Sequence, residues 1–238
     1  MASKKKPASE LNPASDAPQR ISKQFYNLQL DDEQEAFANA IWDPDIDIVF
    51  CNSKAGTGKT TIAAGVANML VLYGRYGGIV YIMSPYGERK QGYLPGDMTE
   101  KSSVYFEAFM QALQECNVNP FTAINNESMV NQKNGTGYIT CITDTYLRGT
   151  NLKNCVVILD EAQNYSVPQL KKTLTRIGND TKVIVIGHDK QCDLGDEAQS
   201  GFTCYMEHFA GKERAAFCTL TQNHRSWISQ WADELEET

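Results

Sequence analysis

Six short apolar runs punctuate the chain, at 46–51, 79–83, 138–142, 155–159, 183–186 and 215–220. Most are continuous rather than alternating and are rich in Val and Ile. That is the pattern of strands buried on both faces, as in a parallel sheet. Longer segments at 31–41, 60–73, 101–116, 167–177 and 197–209 have helical character. Strands alternating with helices predict an α/β fold of βαβ units, a mainly parallel sheet with helices on both faces. The polar stretch 117–136 predicts no regular element, and no repeat of 20 to 50 residues is present.

Residues 1–20 hold Lys, Pro, Ser, Ala and Asn with almost no large apolar side chains, which predicts a disordered tail. Lys4 to Lys6 read as solvated charges or as a tether for a partner. Residues 21–238 are expected to form one domain. A net charge of −7 argues against a dedicated duplex-DNA binder, without excluding a local basic groove. No apolar run is long enough for a membrane span, and no apolar stretch follows the early charges as a secretory signal requires. The seven cysteines are scattered and show no CxxC spacing. They read as reduced thiols of a cytoplasmic protein, and no zinc-ligand cluster forms with the three histidines.

Chemistry concentrates after the first apolar run. Ser53-Lys54-Ala55-Gly56-Thr57-Gly58 is a Gly-rich turn, and Lys59-Thr60-Thr61 opens a helical stretch. Strand, Gly-rich loop, Lys-Thr and helix form the context in which such a loop cradles phosphates. Glycines let backbone N–H groups turn inward, and the helix start presents its positive dipole end to the same point. Lys59 would reach the β- and γ-phosphates of a nucleoside triphosphate, and the Thr60 hydroxyl would ligate Mg²⁺. Ser53 occupies the place of the first glycine in GxxxxGK[ST].

The run ending Leu159-Asp160-Glu161 is a buried strand closed by two carboxylates. Open α/β sheets bind ligands at the carboxyl ends of their strands, so both acids are expected near the phosphates. Asp160 suits Mg²⁺ held through water. Glu161 suits the orientation and deprotonation of an attacking water. A helix cap with a dipole-favoured acid is the plainer reading of either carboxylate alone.

AGTGKT at 55–60, GYLPGD at 92–97, ILDEAQN at 158–164, LTRIG at 174–178 and QCDL at 191–194 together resemble the PhoH-like ATPase family. The resemblance covers roughly residues 30–226 and implies a RecA-like P-loop NTPase domain related to the superfamily 1 helicase core. It implies ATP as ligand and hydrolysis as the reaction. Leu30 to Gln34 is similar to a Q-motif, whose Gln amide would pair with the adenine edge. Residues 187–194 resemble GDxxQxDL, so Gln191 would sense the γ-phosphate or its water. His188 stands where that motif has Asp, and Ser84 stands where the family has Arg. Arg148, Arg176 and Arg225 are the candidates for the guanidinium that stabilises transition-state charge, from the same chain or from a neighbour.

Three function classes remain open. One is an ATPase coupled to single-stranded RNA or DNA as a helicase or translocase. A single RecA-like domain does not step along a strand alone, so this class predicts a homo-oligomer, with a hexameric ring as one form. Tyr86, Arg89, Lys90 and Tyr93 are then the strand-binding candidates, though a solvated loop has the same composition. The second is a regulatory or switch ATPase without a nucleic-acid track, which the acidic charge favours. The third is a small-molecule kinase, disfavoured by a carboxylate and a Gln placed to handle water.

Overall fold

The computed structural model describes residues 17–84, 98–125, 137–147, 151–192 and 200–233. A short antiparallel pair opens the fold, β1 Gln24–Phe25 with β2 Leu28–Gln29. Six strands then form one sheet: β3 Ile48–Ser53, β4 Ile79–Met83, β5 Ile139–Thr143, β6 Cys155–Asp160, β7 Thr181–Gly187 and β8 Ala215–Leu220. Their order is β5-β4-β6-β7-β3-β8, and every pairing is parallel. The central strands β6 and β7 are buried throughout, whereas the edge strands β5 and β8 are only partly covered. Burial on both faces explains the unbroken apolar runs of the central strands.

Helices cover both faces, and side-chain parity along the strands decides which residues meet which helix. On one side Val49, Cys51, Tyr81, Ile158 and Ile184 pack under α1 Asp32–Trp42, α2 Lys59–Leu72 and α3 Met98–Glu115. On the other Phe50, Ile82, Val157 and Val185 pack under α5 Val167–Leu174 and α6 Gly201–Phe209. Two further short α-helices lie among the described residues, α4 Pro120–Ala123 and α7 Trp227–Asp233. The helix expected to run to 177 stops at Leu174, and the chain then turns into β7.

Close approach is built in at Gly65 of α2. A Cβ there would lie 2.6 Å from Phe25 and 2.7 Å from the Cys116 thiol, so only Gly lets α2 sit tight against the hairpin and α3. The amino-terminal tail expected over 1–20 falls mostly outside the described residues. Its last residues are packed: Ala17 lies against the core, and the Trp42 indole donates to the Pro18 carbonyl at 2.9 Å. Among the described residues, packed chain therefore begins at Ala17.

One charge is buried inside the sheet. Lys182, on β7, has no exposed surface. Its ammonium donates to the Asp43 carbonyl at 2.6 Å and to the Ile46 carbonyl, tying the end of α1 to the start of β3. Burial, and then the nearby Arg75 charge, lower its pKa to about 8.

Candidate functional site

Because all six strands run the same way, the ends of β3, β6 and β7 converge on one edge of the sheet. Ser53 is the last residue of β3, in extended strand backbone, so the position needs no glycine. The residues that do need one are Gly56 and Gly58, at φ +74° and +77°. Gly58 is the N-cap of α2 and leaves the first N–H groups of the helix without a side-chain cap. Those donors and the helix dipole point into a cavity of about 520 Å³. Ala55, Gly56, Thr57, Gly58, Lys59, Thr60 and Thr61 line it, together with Gln34, Tyr81, Asp160, Glu161, Gln191 and Arg225.

The loop is braced from within. The Thr57 hydroxyl donates to the Lys54 carbonyl at 3.1 Å, and the Ser53 hydroxyl reaches the Gly187 carbonyl at 3.5 Å. The Thr61 hydroxyl donates to Glu115 at 2.8 Å, which ties the start of α2 to the end of α3. Gln34 has a structural task beside any ligand role. Its amide N–H donates to the Thr57 carbonyl at 2.9 Å, and its carbonyl accepts the Asp31 N–H at 3.1 Å in a capping box. An amide has two donors and two lone pairs, so one of each remains for a base.

The acids sit opposite the loop. Asp160 Oδ2 accepts the Thr60 hydroxyl at 3.0 Å and the Tyr81 hydroxyl at 2.8 Å. Its Oδ1 accepts the Glu161 N–H at 2.8 Å. Burial, and then the Glu161 charge, raise the Asp160 pKa; Lys59 and the two donors Tyr81 and Glu161 N–H oppose the rise. Burial, and then Asp160, push the Tyr81 phenol well up. Lys59 Nζ lies 3.6 Å from Glu161 Oε1. Glu161 has left-handed backbone, φ 50° and ψ 43°, a conformation that costs a non-glycine residue about 1–2 kcal/mol. It persists where the strand must turn sharply to aim a carboxylate at the loop.

The three arginines part company. Arg225 lines the cavity beside Gly56, with its Cγ 3.1 Å from where a Gly56 Cβ would stand. Its segment is held down by the His224 N–H, which donates to the Gly56 carbonyl at 2.8 Å. Arg176 lies before β7, where its carbonyl accepts the Leu152 N–H at 2.9 Å ahead of β6. Strands climb about 3.3 Å per residue, so β7 puts it roughly 20 Å from the phosphate loop of the same chain. Arg176 therefore does not reach this site in cis. Arg148 and the strand-binding candidates Tyr86, Arg89, Lys90 and Tyr93 lie outside the described residues, as does GYLPGD.

Two residues at the site carried no role in the sequence reading. Tyr81 stands in an apolar strand with the parity of Ile79, and nothing in the local sequence sets its phenol apart from an ordinary core aromatic. Gln163, inside DEAQN, bonds to Glu161 at 2.7 Å. Among the described residues no group of three or more His, Cys, Asp and Glu side chains could hold a metal. The Thr60 hydroxyl and Asp160 carboxylate do offer adjacent oxygens, the donors a hard divalent cation takes beside phosphates.

A family model described as PhoH-like protein matches residues 29–234. The chain belongs to the PhoH-like family. The PhoH-like protein of Synechocystis is 35% identical over 178 residues, covering 74% of this chain and 52% of that protein. Protein PhoH of Escherichia coli K12 is 33% identical, covering 73% of this chain and 51% of its own. Protein PhoH2 of Bacillus subtilis is 32% identical, covering 80% and 43%. The chain thus spans about half the length of these curated relatives. A Hef helicase domain from Pyrococcus furiosus superposes with a TM-score of 0.43 at 16% identity, over 78% of this chain and 37% of that one. Membership of the PhoH-like family and the mainly parallel sheet with its glycine loop give the chain the α/β fold of a P-loop NTPase domain. No helix among the described residues is long and apolar enough to cross a membrane.

Proposed function

We propose that the protein is a Mg²⁺-dependent ATPase whose turnover is coupled to single-stranded RNA or DNA. One observation carries the hydrolytic reading: Lys59, Thr60, Asp160 and Glu161 line a single cavity, with the Lys59 ammonium 3.6 Å from the Glu161 carboxylate and the Thr60 hydroxyl 3.0 Å from that of Asp160. Thr60 and, through water, Asp160 would hold the ion. When bound, Mg²⁺ supplies positive charge that offsets the phosphates.

The residues divide the work. The backbone N–H groups of 56–60 receive phosphate oxygens. Lys59 leaves Glu161 for the more highly charged phosphates, which frees Glu161 Oε1. That carboxylate then takes a proton as water attacks the γ-phosphorus and ADP departs. Arg225 and Gln191 both line the cavity, which supports reading Arg225 as the group that would stabilise the developing charge and Gln191 as its sensor. The remaining donor and acceptor of Gln34 suit the adenine edge. Cytoplasmic residence and assembly as a homo-oligomer, with a hexameric ring as one form, belong to the same proposal. Arg148 and Arg176 stay as candidates for a guanidinium donated to a neighbour's site. The net charge of −7 supports a second reading, a switch ATPase with no strand.

The test is ATP turnover with and without single-stranded RNA or DNA at low salt, where phosphate contacts are strongest. Wild type, Lys59→Ala and Glu161→Gln are compared. Loss of nucleotide binding in the first and of turnover in the second is expected. Turnover that no strand stimulates would leave the switch reading. Unchanged turnover in Lys59→Ala would remove the phosphate-loop assignment.

A further inference from the structure

We infer that Gln163 is a positioning residue that holds Glu161 for catalysis and fastens it to the turn bearing Gln191. The inference rests on the reading of Glu161 as the group that takes the proton from water.

Gln163 is buried and lies just beyond β6. Its amide N–H donates to Glu161 Oε2 at 2.7 Å. Its amide oxygen accepts the His188 N–H at 3.0 Å. These bonds decide which way the amide faces. His188 N–H requires the oxygen on its side, so the NH₂ group must face the carboxylate. The backbone of Gln163 is tied to the same region, because its carbonyl accepts the Cys192 thiol at 3.3 Å and the Ser200 hydroxyl at 3.0 Å. The end of β7 leaves room for this amide only because residue 187 is Gly. A Cβ there would stand 2.9 Å from the Gln163 amide oxygen and 3.2 Å from its backbone N.

The arrangement divides the two oxygens of Glu161. Oε1 faces Lys59, which a triphosphate would draw away, and Oε2 faces Gln163, which is buried and does not line the cavity. Nucleotide binding therefore frees one oxygen and leaves the other pinned. A carboxylate on a strained left-handed residue has several rotamers available, and one fixed oxygen removes most of that freedom. His188 N–H also starts the turn closed by the Gln191 N–H, which donates to the His188 carbonyl at 3.2 Å. A displacement of Gln191 is thereby passed to Glu161 through a single buried amide.

The test compares kcat, KM for ATP and the affinity for a fluorescent ATP analogue in wild type, Gln163→Met, Gln163→Glu, Glu161→Gln and the Glu161→Gln/Gln163→Met double variant. Thermal melting checks that each folds. Gln163→Met removes both bonds at nearly constant volume. Gln163→Glu keeps an acceptor for His188 and sets a second carboxylate against Glu161. Turnover is expected to fall about 10- to 100-fold in both, the value of one charge-assisted hydrogen bond, with analogue affinity within about threefold of wild type. In the Glu161→Gln background Gln163→Met should add less than about twofold, because the residue acts through the carboxylate. Wild-type kcat in Gln163→Glu overturns the role. So does an undiminished further loss in the double variant, which a purely structural residue would give. Full turnover in Glu161→Gln instead overturns the underlying reading of Glu161.

Discussion

Lys182 is the fold's most exposed liability in energetic terms, and pH can read it. Its pKa of about 8 compares with an ordinary value of 10.5, so the unfolded chain holds the proton that the folded chain gives up. Between those values stability must rise with pH. The linkage gain is about 1 kcal/mol from pH 7 to 9 and approaches about 3 kcal/mol beyond pH 10.5. The wild-type curve alone will not display it. Burial raises the thiols of Cys51, Cys116, Cys141, Cys155 and Cys218, to about 12 for Cys116 and Cys141 and about 11 for Cys218. Unfolded thiols ionise near 9 while the buried ones stay protonated, so these groups lower stability as pH rises through 9. Each loses about 0.4 kcal/mol by pH 9, enough together to mask the lysine. Lys182→Met isolates it, since the thiols cancel on subtraction. At pH 7 the variant is relieved of a buried charge but leaves the Asp43 and Ile46 carbonyls without their donor, so wild type and variant should lie within about 2 kcal/mol. Urea unfolding at pH 7, 8 and 9 should show the difference moving by about 1 kcal/mol in favour of wild type. A difference that stays constant over that range would refute a lysine held charged in a low-dielectric site.

Three further outcomes are expected. Tyr81→Phe keeps the ring stacked on Phe109 but takes one of two hydroxyl donors from Asp160 Oδ2; a Mg²⁺ titration of turnover should shift to about 3- to 10-fold higher concentration, with nucleotide binding in EDTA unchanged. Gly56→Ala forces a side chain to positive φ and within 2.7 Å of Asn223 Oδ1, so analogue affinity should fall at least about tenfold and urea stability by about 1–2 kcal/mol; wild-type affinity would contradict the loop geometry. Arg225→Ala should lower turnover by more than about tenfold, while Arg176→Ala in a monomeric preparation should stay within about twofold, and the reverse ranking would overturn their placement.

Much of the fold was legible because its central strands are buried on both faces. Burial of that kind leaves unbroken Val and Ile runs, and those at 155–159 and 183–186 fall within β6 and β7. The phosphate loop was legible because each of its residue types answers a local demand, positive φ at Gly56 and Gly58 above all. What escaped depends on contacts between distant segments. Nothing local marks Lys182 as a buried staple, Tyr81 as a donor to Asp160, or the Gln34 amide as already half engaged with the loop. Whether Arg176 serves its own chain's site was not legible, because closeness to a motif along the chain says nothing about which end of a strand a residue occupies. The strand order had to be seen before it could be put at the far end of the sheet.

That strand order also governs when the site comes into being as the chain is made. Ile48 of β3 is paired with Val183 on one side and Ala215 on the other. The glycine loop thus leaves the ribosome well before either of its supporting neighbours, which follow more than 120 residues later. β4, β5 and β6 pair with one another without β3, so half the sheet is complete in sequence before the loop has its neighbours. Closing such long loops is the slow part of folding. The support of the glycine loop is therefore completed only once β7 and β8 are made, and a nascent chain that stops short of β7 carries the motif without its neighbours.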